Sequence, residues 1–233
     1  MSNGDIFVTT RWTQVLAAQG TSTTALADLC AAYYVPVHAY IARTARDLGD
    51  PRDLTQEFFA RVLGGAMLGG ADRERGRFRA YVLGAVKHFL ADTRDRLHAA
   101  KRGAQHEHVP LVAGTDTSPG IEVPDATPPD AWFDRQWGVA VLDRALTALA
   151  AEHAAQGKST QFHVLKQWLS GDTNTLSQTD AAGQLGLSEG ALKVAIHRLR
   201  KRFRECVKAE IAGTVSDEKD VRDELRYLIE VVT

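Results

Sequence analysis

Apolar residues recur at three- and four-residue intervals along nearly the whole chain, and the two-residue alternation of a half-buried strand is almost absent. Leu26, Leu29, Cys30, Tyr33, Val37 and Ile41 form one helical stripe, which Pro36 is expected to kink. A second helix starts sharply. Asp50 suits the N-cap, Pro51 the first helical position and Asp53 the positive end of the helix dipole. Leu54, Phe58 and Val62 share one face of it, Asp53, Gln56, Glu57 and Ala60 another, and Gly64–Gly65 ends it. A third helix spans 78–97, with Tyr81, Val82, Ala85, Phe89 and Leu97 as its core and Arg79, Lys87, Arg94 and Arg96 around them. Helices over 132–155 and 161–170 and a compact helical pair complete the pattern, which predicts an all-α protein of two small bundles.

That pair has a recognisable grammar. From Gln178 to Arg198 small residues stand where two helices must cross closely, and Gly186 stands at the turn. Ala182 precedes the glycine by four positions and Leu192 follows by six, the spacing of a helix-turn-helix. Ser188 caps the second helix and Glu189 occupies its first turn. The helix then runs into His197-Arg-Leu-Arg-Lys-Arg-Phe-Arg, so its outer side is cationic and suited to a major groove.

Charge order sharpens this reading. The 233 residues carry 28 Lys plus Arg against 29 Asp plus Glu, a formal charge of −1 that by itself argues against a nucleic-acid partner. The charges are nevertheless segregated. Residues 73–102 sum to +6, 103–134 to −6, 188–212 to +4 and 213–233 to −3. The acidic segment also holds five of the seven prolines, which predicts an extended linker. The basic run at 73–96 is interleaved with Phe78, Tyr81 and Phe89. Cations and rings together suit single-stranded DNA, while rings at this spacing also suit a helical core.

Other chemistries find little purchase. No stretch approaches the roughly 18 apolar residues of a membrane span, and the N-terminus lacks a signal peptide's basic start and apolar core, so a cytoplasmic setting is expected. Two cysteines, Cys30 and Cys206, make neither a disulfide framework nor a zinc cluster. The cations around Cys206 favour a lowered thiol pKa, but no substrate pocket accompanies it. His106-Glu-His lacks the four-residue spacing of a zinc protease, and Gly64-Gly-Ala-Met-Leu-Gly-Gly lacks the Lys-Ser/Thr ending of a phosphate loop. No enzyme activity, cofactor or metal is expected.

Asp53-Leu-Thr-Gln-Glu-Phe-Phe-Ala-Arg-Val-Leu resembles the region-two polymerase-binding helix of bacterial RNA polymerase sigma factors. Arg77-Phe-Arg-Ala-Tyr-Val-Leu resembles the following, promoter-opening helix, and Leu187-Ser-Glu-Gly-Ala-Leu-Lys-Val-Ala-Ile-His-Arg-Leu-Arg the region-four recognition helix. Order, spacing and linker together resemble the extracytoplasmic-function (ECF) branch of the sigma-70 family over residues 10–100 and 135–212. Tyr81 in place of a frequent Trp, the glycine-rich 64–70 segment and Ser177-Gln-Thr-Asp depart from the family pattern.

The resemblance implies region two at 1–102, an acidic linker at 103–130, region four at 131–212 and an amphipathic extension at 213–233. It implies core RNA polymerase and promoter DNA as partners, with an anti-sigma factor or other regulator as a further candidate and no membrane. Polymerase binding would fall to Asp53, Gln56, Glu57 and Arg61. Single-stranded promoter DNA would meet Arg75, Arg77, Arg79, Lys87 and Arg94. Duplex promoter DNA would meet Ser188, Glu189, Lys193, Val194, His197, Arg198, Lys201 and Arg202. The alternatives are a stand-alone helix-turn-helix regulator and a sigma-like decoy that binds polymerase without initiating. In the extension, Val221, Leu225, Leu228, Ile229 and Val232 form an apolar stripe opposite an acidic face, expected to pack on the protein's own domains.

Overall fold

Pro36 lies inside the first helix and does not end it: α1 runs unbroken over Thr23–Thr44. A proline has no N–H, so the Ala32 carbonyl one turn back loses its helical donor. The Arg144 guanidinium fills that place at 3.0 Å, and its Nε also donates to Glu210 at 2.8 Å. One residue thereby joins three helices, and the carbonyl that Pro36 leaves without a helical donor is bonded.

The chain is described here by a computed structural model covering residues 23–64, 78–103, 127–170, 176–212 and 218–233. Among these residues the elements are all helical: α1, α2 (Pro51–Leu63), α3 (Phe78–Gly103), α4 (Pro129–Ala155), α5 (Ser159–Leu165), α6 (Gln167–Ser170), α7 (Gln178–Leu185), α8 (Glu189–Ala212) and α9 (Glu218–Val232). None is long and apolar enough to cross a membrane. The start of α2 follows its sequence signals. Asp50 is in the extended region and its side chain accepts from the Arg52 N–H at 2.7 Å, while Leu54, Phe58 and Val62 are buried. Residues 161–170 form two short helices broken at Lys166 in place of one.

The molecule is organised around α4. Phe133, Trp137, Val141, Ala145 and Leu149 are buried along it at four-residue intervals, and it packs against α1, α8 and α9. Tyr40 of α1 meets Phe133 edge-on, 6.2 Å between ring centres. The expected division into two bundles is therefore not marked by a break in packing among the described residues. The reason is that α4 packs against α1 of the first half as well as α8 of the second.

The rings interleaved with the α3 cations belong mostly to the core. Phe78 meets Tyr33 edge-on at 5.3 Å and Phe89 meets Phe58 at 5.7 Å, both fully enclosed, and only Tyr81 is part-exposed. Leu97, assigned to the core from its spacing, is exposed near the end of α3. The extension is a helix packed on α4 and α8. Gly138 permits this approach: a Cβ there would lie 2.7 Å from Val232 Cγ1 and 3.1 Å from Leu228 Cδ1. Leu228 is buried, but Ile229 of the expected stripe is 61% exposed.

Candidate nucleic-acid interface

The helix pair α7–α8 is built from its caps inward. Ser177 Oγ accepts from the Asp180 N–H at 3.1 Å, and Ala181 and Ala182 are buried where α7 meets α8. Gly186 takes the left-handed conformation, φ 63 and ψ 32. The Leu187 N–H then returns to the Ala182 carbonyl at 2.9 Å and the Gly186 N–H to Gly183 at 3.2 Å, closing the helix end as a Schellman motif. Ser188 Oγ accepts from the Ala191 N–H at 3.2 Å to start α8, and Thr179 donates to Glu189 at 3.1 Å across the turn. Ser188 and Glu189 thus serve the turn itself.

Along α8, Leu192, Ile196 and Leu199 face the core. Lys193, Val194, His197, Arg198 and Lys201 are exposed, Val194 by 49%. None of the four basic side chains among them is ion-paired with another described residue. Arg202 differs: its guanidinium grips Glu152 through two bonds of 2.8 and 2.6 Å and reaches Glu205 at 2.8 Å. These bonds, Glu152 first, hold it well above its ordinary pKa and pair it with acids of its own chain. Glu205, three residues on, was visible in the sequence; Glu152, fifty residues back, was not.

The basic residues of α3 are arranged oppositely. Arg79, expected on single-stranded DNA, is buried. Its Nη1 donates to Asp134 at 2.5 Å and its Nε to Glu224 at 3.3 Å, partners 55 and 145 residues away. Its plane lies over Tyr227 at 4.0 Å and Trp137 at 5.2 Å from the ring centres, and Tyr227 donates its hydroxyl to Asp134 at 2.5 Å. Burial works against the cation, but Glu224 and then Asp134 outweigh it and push the Arg79 pKa up. Lys87 pairs with Asp130 at 2.6 Å, and Arg94 lies 3.5 Å from Asp47. Arg75 and Arg77 fall outside the described residues, as does most of the acidic linker. Where the linker's end is described, the Thr127 carbonyl accepts from Arg43 at 2.7 Å.

On α2, Asp53 and Gln56 are exposed together, whereas Glu57 is half-buried. Glu57 accepts from Arg61 at 2.7 Å and Arg96 at 3.2 Å. Burial raises its pKa, yet the bonds from Arg96 and Arg61 prevail and hold the carboxyl below its ordinary value. Arg61 also lies over the Phe89 ring at 5.0 Å. Two of the four expected polymerase-facing residues are thus already engaged. Cys206 is buried, and burial pushes its thiol pKa up, against the lowering expected from its cationic neighbours. Comparison with family models, with curated proteins and with solved structures finds no match.

Proposed function

We propose that the chain is a transcription initiation factor of the ECF sigma type, which binds core RNA polymerase, reads a two-part promoter and helps to open it. The observation that carries this reading is the exposed Lys193–Lys201 face of α8 behind a capped helix-turn-helix, with its basic side chains unpaired to other described residues. A recognition helix needs its base-reading side chains at the front and cations for phosphates beside them. Lys193, Val194 and His197 are the base-reading set, with Arg198 and Lys201 on the backbone. The exposed Asp53 and Gln56 of α2 support a polar docking face for polymerase, in keeping with the sequence resemblance.

Run-off transcription with purified core polymerase and a promoter pool tests the proposal. Discrete start sites that depend on the protein are expected; absence of both polymerase binding and start sites overturns it. One observation favours a second reading, a stand-alone duplex-binding regulator: the described cations of α3 are engaged internally, leaving α8 as the open basic face. That reading requires a self-complementary dimer on a palindromic site, and native mass measurement distinguishes it from one copy bound to polymerase.

A further inference from the structure

Among the described residues, the Arg79 site is more enclosed than the other ion pairs. Lys87–Asp130, Arg94–Asp47 and Arg96–Glu57 are exposed on at least one side, whereas Glu224 is 1% and Arg79 8% exposed. Two carboxylates share one guanidinium, and the Tyr227 hydroxyl donates to the second oxygen of Asp134. The enclosure is composite. Asp134 and Trp137 come from α4, and Glu224 and Tyr227 from α9, the last helix of the chain. A buried ion pair rarely adds stability over apolar packing, and its best-attested use is to specify one arrangement against another.

Removal of α9 would change Arg79 alone among the α3 cations. Glu224 and Tyr227 would leave, while Asp134 would remain as a single partner open to water. Such a pair is weak and salt-sensitive, so a phosphate can compete for the guanidinium. Arg79 stands at the first turn of α3, directly after the basic 73–77 segment of the sequence. Toward its other end α9 packs closely on α4, where Val232, Leu228 and Val231 lie against the bare Cα of Gly138.

We propose that α9 is an intramolecular clasp that withholds Arg79 from single-stranded nucleic acid, and that its release exposes the guanidinium to the phosphate backbone. This rests on the reading that the start of α3 faces melted promoter DNA. The clasp couples two events. A strand arriving at α3 competes with Glu224 for Arg79, so α9 loosens as the strand binds, and a factor outside the promoter holds the site shut. By linkage, whatever holds α9 down weakens strand binding by the same factor.

The full-length protein tests this with a labelled single-stranded oligodeoxynucleotide. Glu224→Gln is expected to tighten binding by about 3- to 10-fold and to steepen its salt dependence by about 0.7 in log–log slope, one added phosphate contact on a single strand. Adding Arg79→Ala to that variant is expected to abolish the gain. A folded Glu224→Gln protein, judged by circular dichroism, that binds no tighter overturns the clasp. Hydrogen exchange on the wild type gives an answer that does not depend on any variant folding. Saturating oligonucleotide is expected to deprotect residues 218–232, and unchanged protection there overturns the proposal. Core-polymerase binding by the wild type is read separately. If it fails, the sigma reading falls; if it holds while both clasp measurements are flat, the clasp alone falls.

Discussion

The basic residues of α3 and those of α8 come from segments of similar charge density, yet the fold treats them in opposite ways. On α3, Arg79, Lys87, Arg94 and Arg96 each meet a carboxylate from another part of the chain. On α8, Lys193, His197, Arg198 and Lys201 are exposed and form no ion pair with a described acid, although Arg202 does. The difference teaches how to read the formal charge of −1. Cancellation over the whole chain is physical neutralisation in one region and mere arithmetic in the other. Exposed pairs such as Lys87–Asp130 contribute only about 0–1 kcal/mol, so they are closed in the free protein but can be exchanged for phosphates. The α8 face needs no exchange and is ready for a duplex.

The largest expected effect comes from breaking the buried pairing. Arg79→Met leaves Asp134 and Glu224 enclosed without their cation and should cost about 3–5 kcal/mol in urea denaturation. Combining it with Glu224→Gln and Asp134→Asn should recover part of that loss. Additive losses would mean that the carboxylates do not depend on Arg79. On the open face the effects should fall on binding and leave stability alone. Lys193→Ala or His197→Ala should change the preference between promoter sequences by about 1–3 kcal/mol. Competition binding against a panel of substituted duplexes measures it, and a uniform loss across the panel would remove both from the base-reading set.

A smaller effect separates the two regions directly. Lys201→Ala should weaken duplex binding about equally for all sequences and reduce the log–log salt slope by about 0.9, while Lys87→Ala should reduce it by less, because a phosphate must first displace Asp130. Equal slope changes from the two variants would erase the distinction drawn between α3 and α8.

The sequence was most legible where the cause is local. Asp50 and Pro51 announce the start of α2, Gly186 the turn and Ser188 the cap of α8, because each acts within a few residues of itself. The Lys193–Lys201 face was legible for the same reason, being the complement of the buried Leu192, Ile196 and Leu199. The ion pairs of Arg79 and Arg202 were not legible because their partners, Glu224, Asp134 and Glu152, lie 50 or more residues away, and no periodicity reports such distances. Glu224 was not singled out in the sequence, yet it is where α9 meets Arg79. The role of α4 was hidden similarly, since the apolar positions of a core helix say nothing of which neighbours it joins. Ala32 and Arg144 show the converse: Pro36 signals a broken hydrogen bond, but only the fold supplies its replacement donor.

The smallest effect is in the pH dependence of Glu57, the meeting point of α2 and α3. Its side chain is 40% exposed and carries bonds from Arg61 and Arg96 that depress its pKa despite partial burial. At neutral pH the group is ionised in both folded and unfolded chains, and the pairing favours the fold. As pH falls below about 4.3, the unfolded carboxyl takes up a proton first, and the contribution is lost as pH drops through the lower folded value. Solvent screening limits it to under about 1 kcal/mol. Glu57→Gln should therefore lower stability slightly at pH 7 and match the wild type near pH 3, in urea titrations at low salt. High salt should shrink the pH 7 difference, because the pairs are exposed. A difference that persists at pH 3 would mean that Glu57 acts through packing, and the cations of α3 would then be less neutralised at this edge than their distances imply.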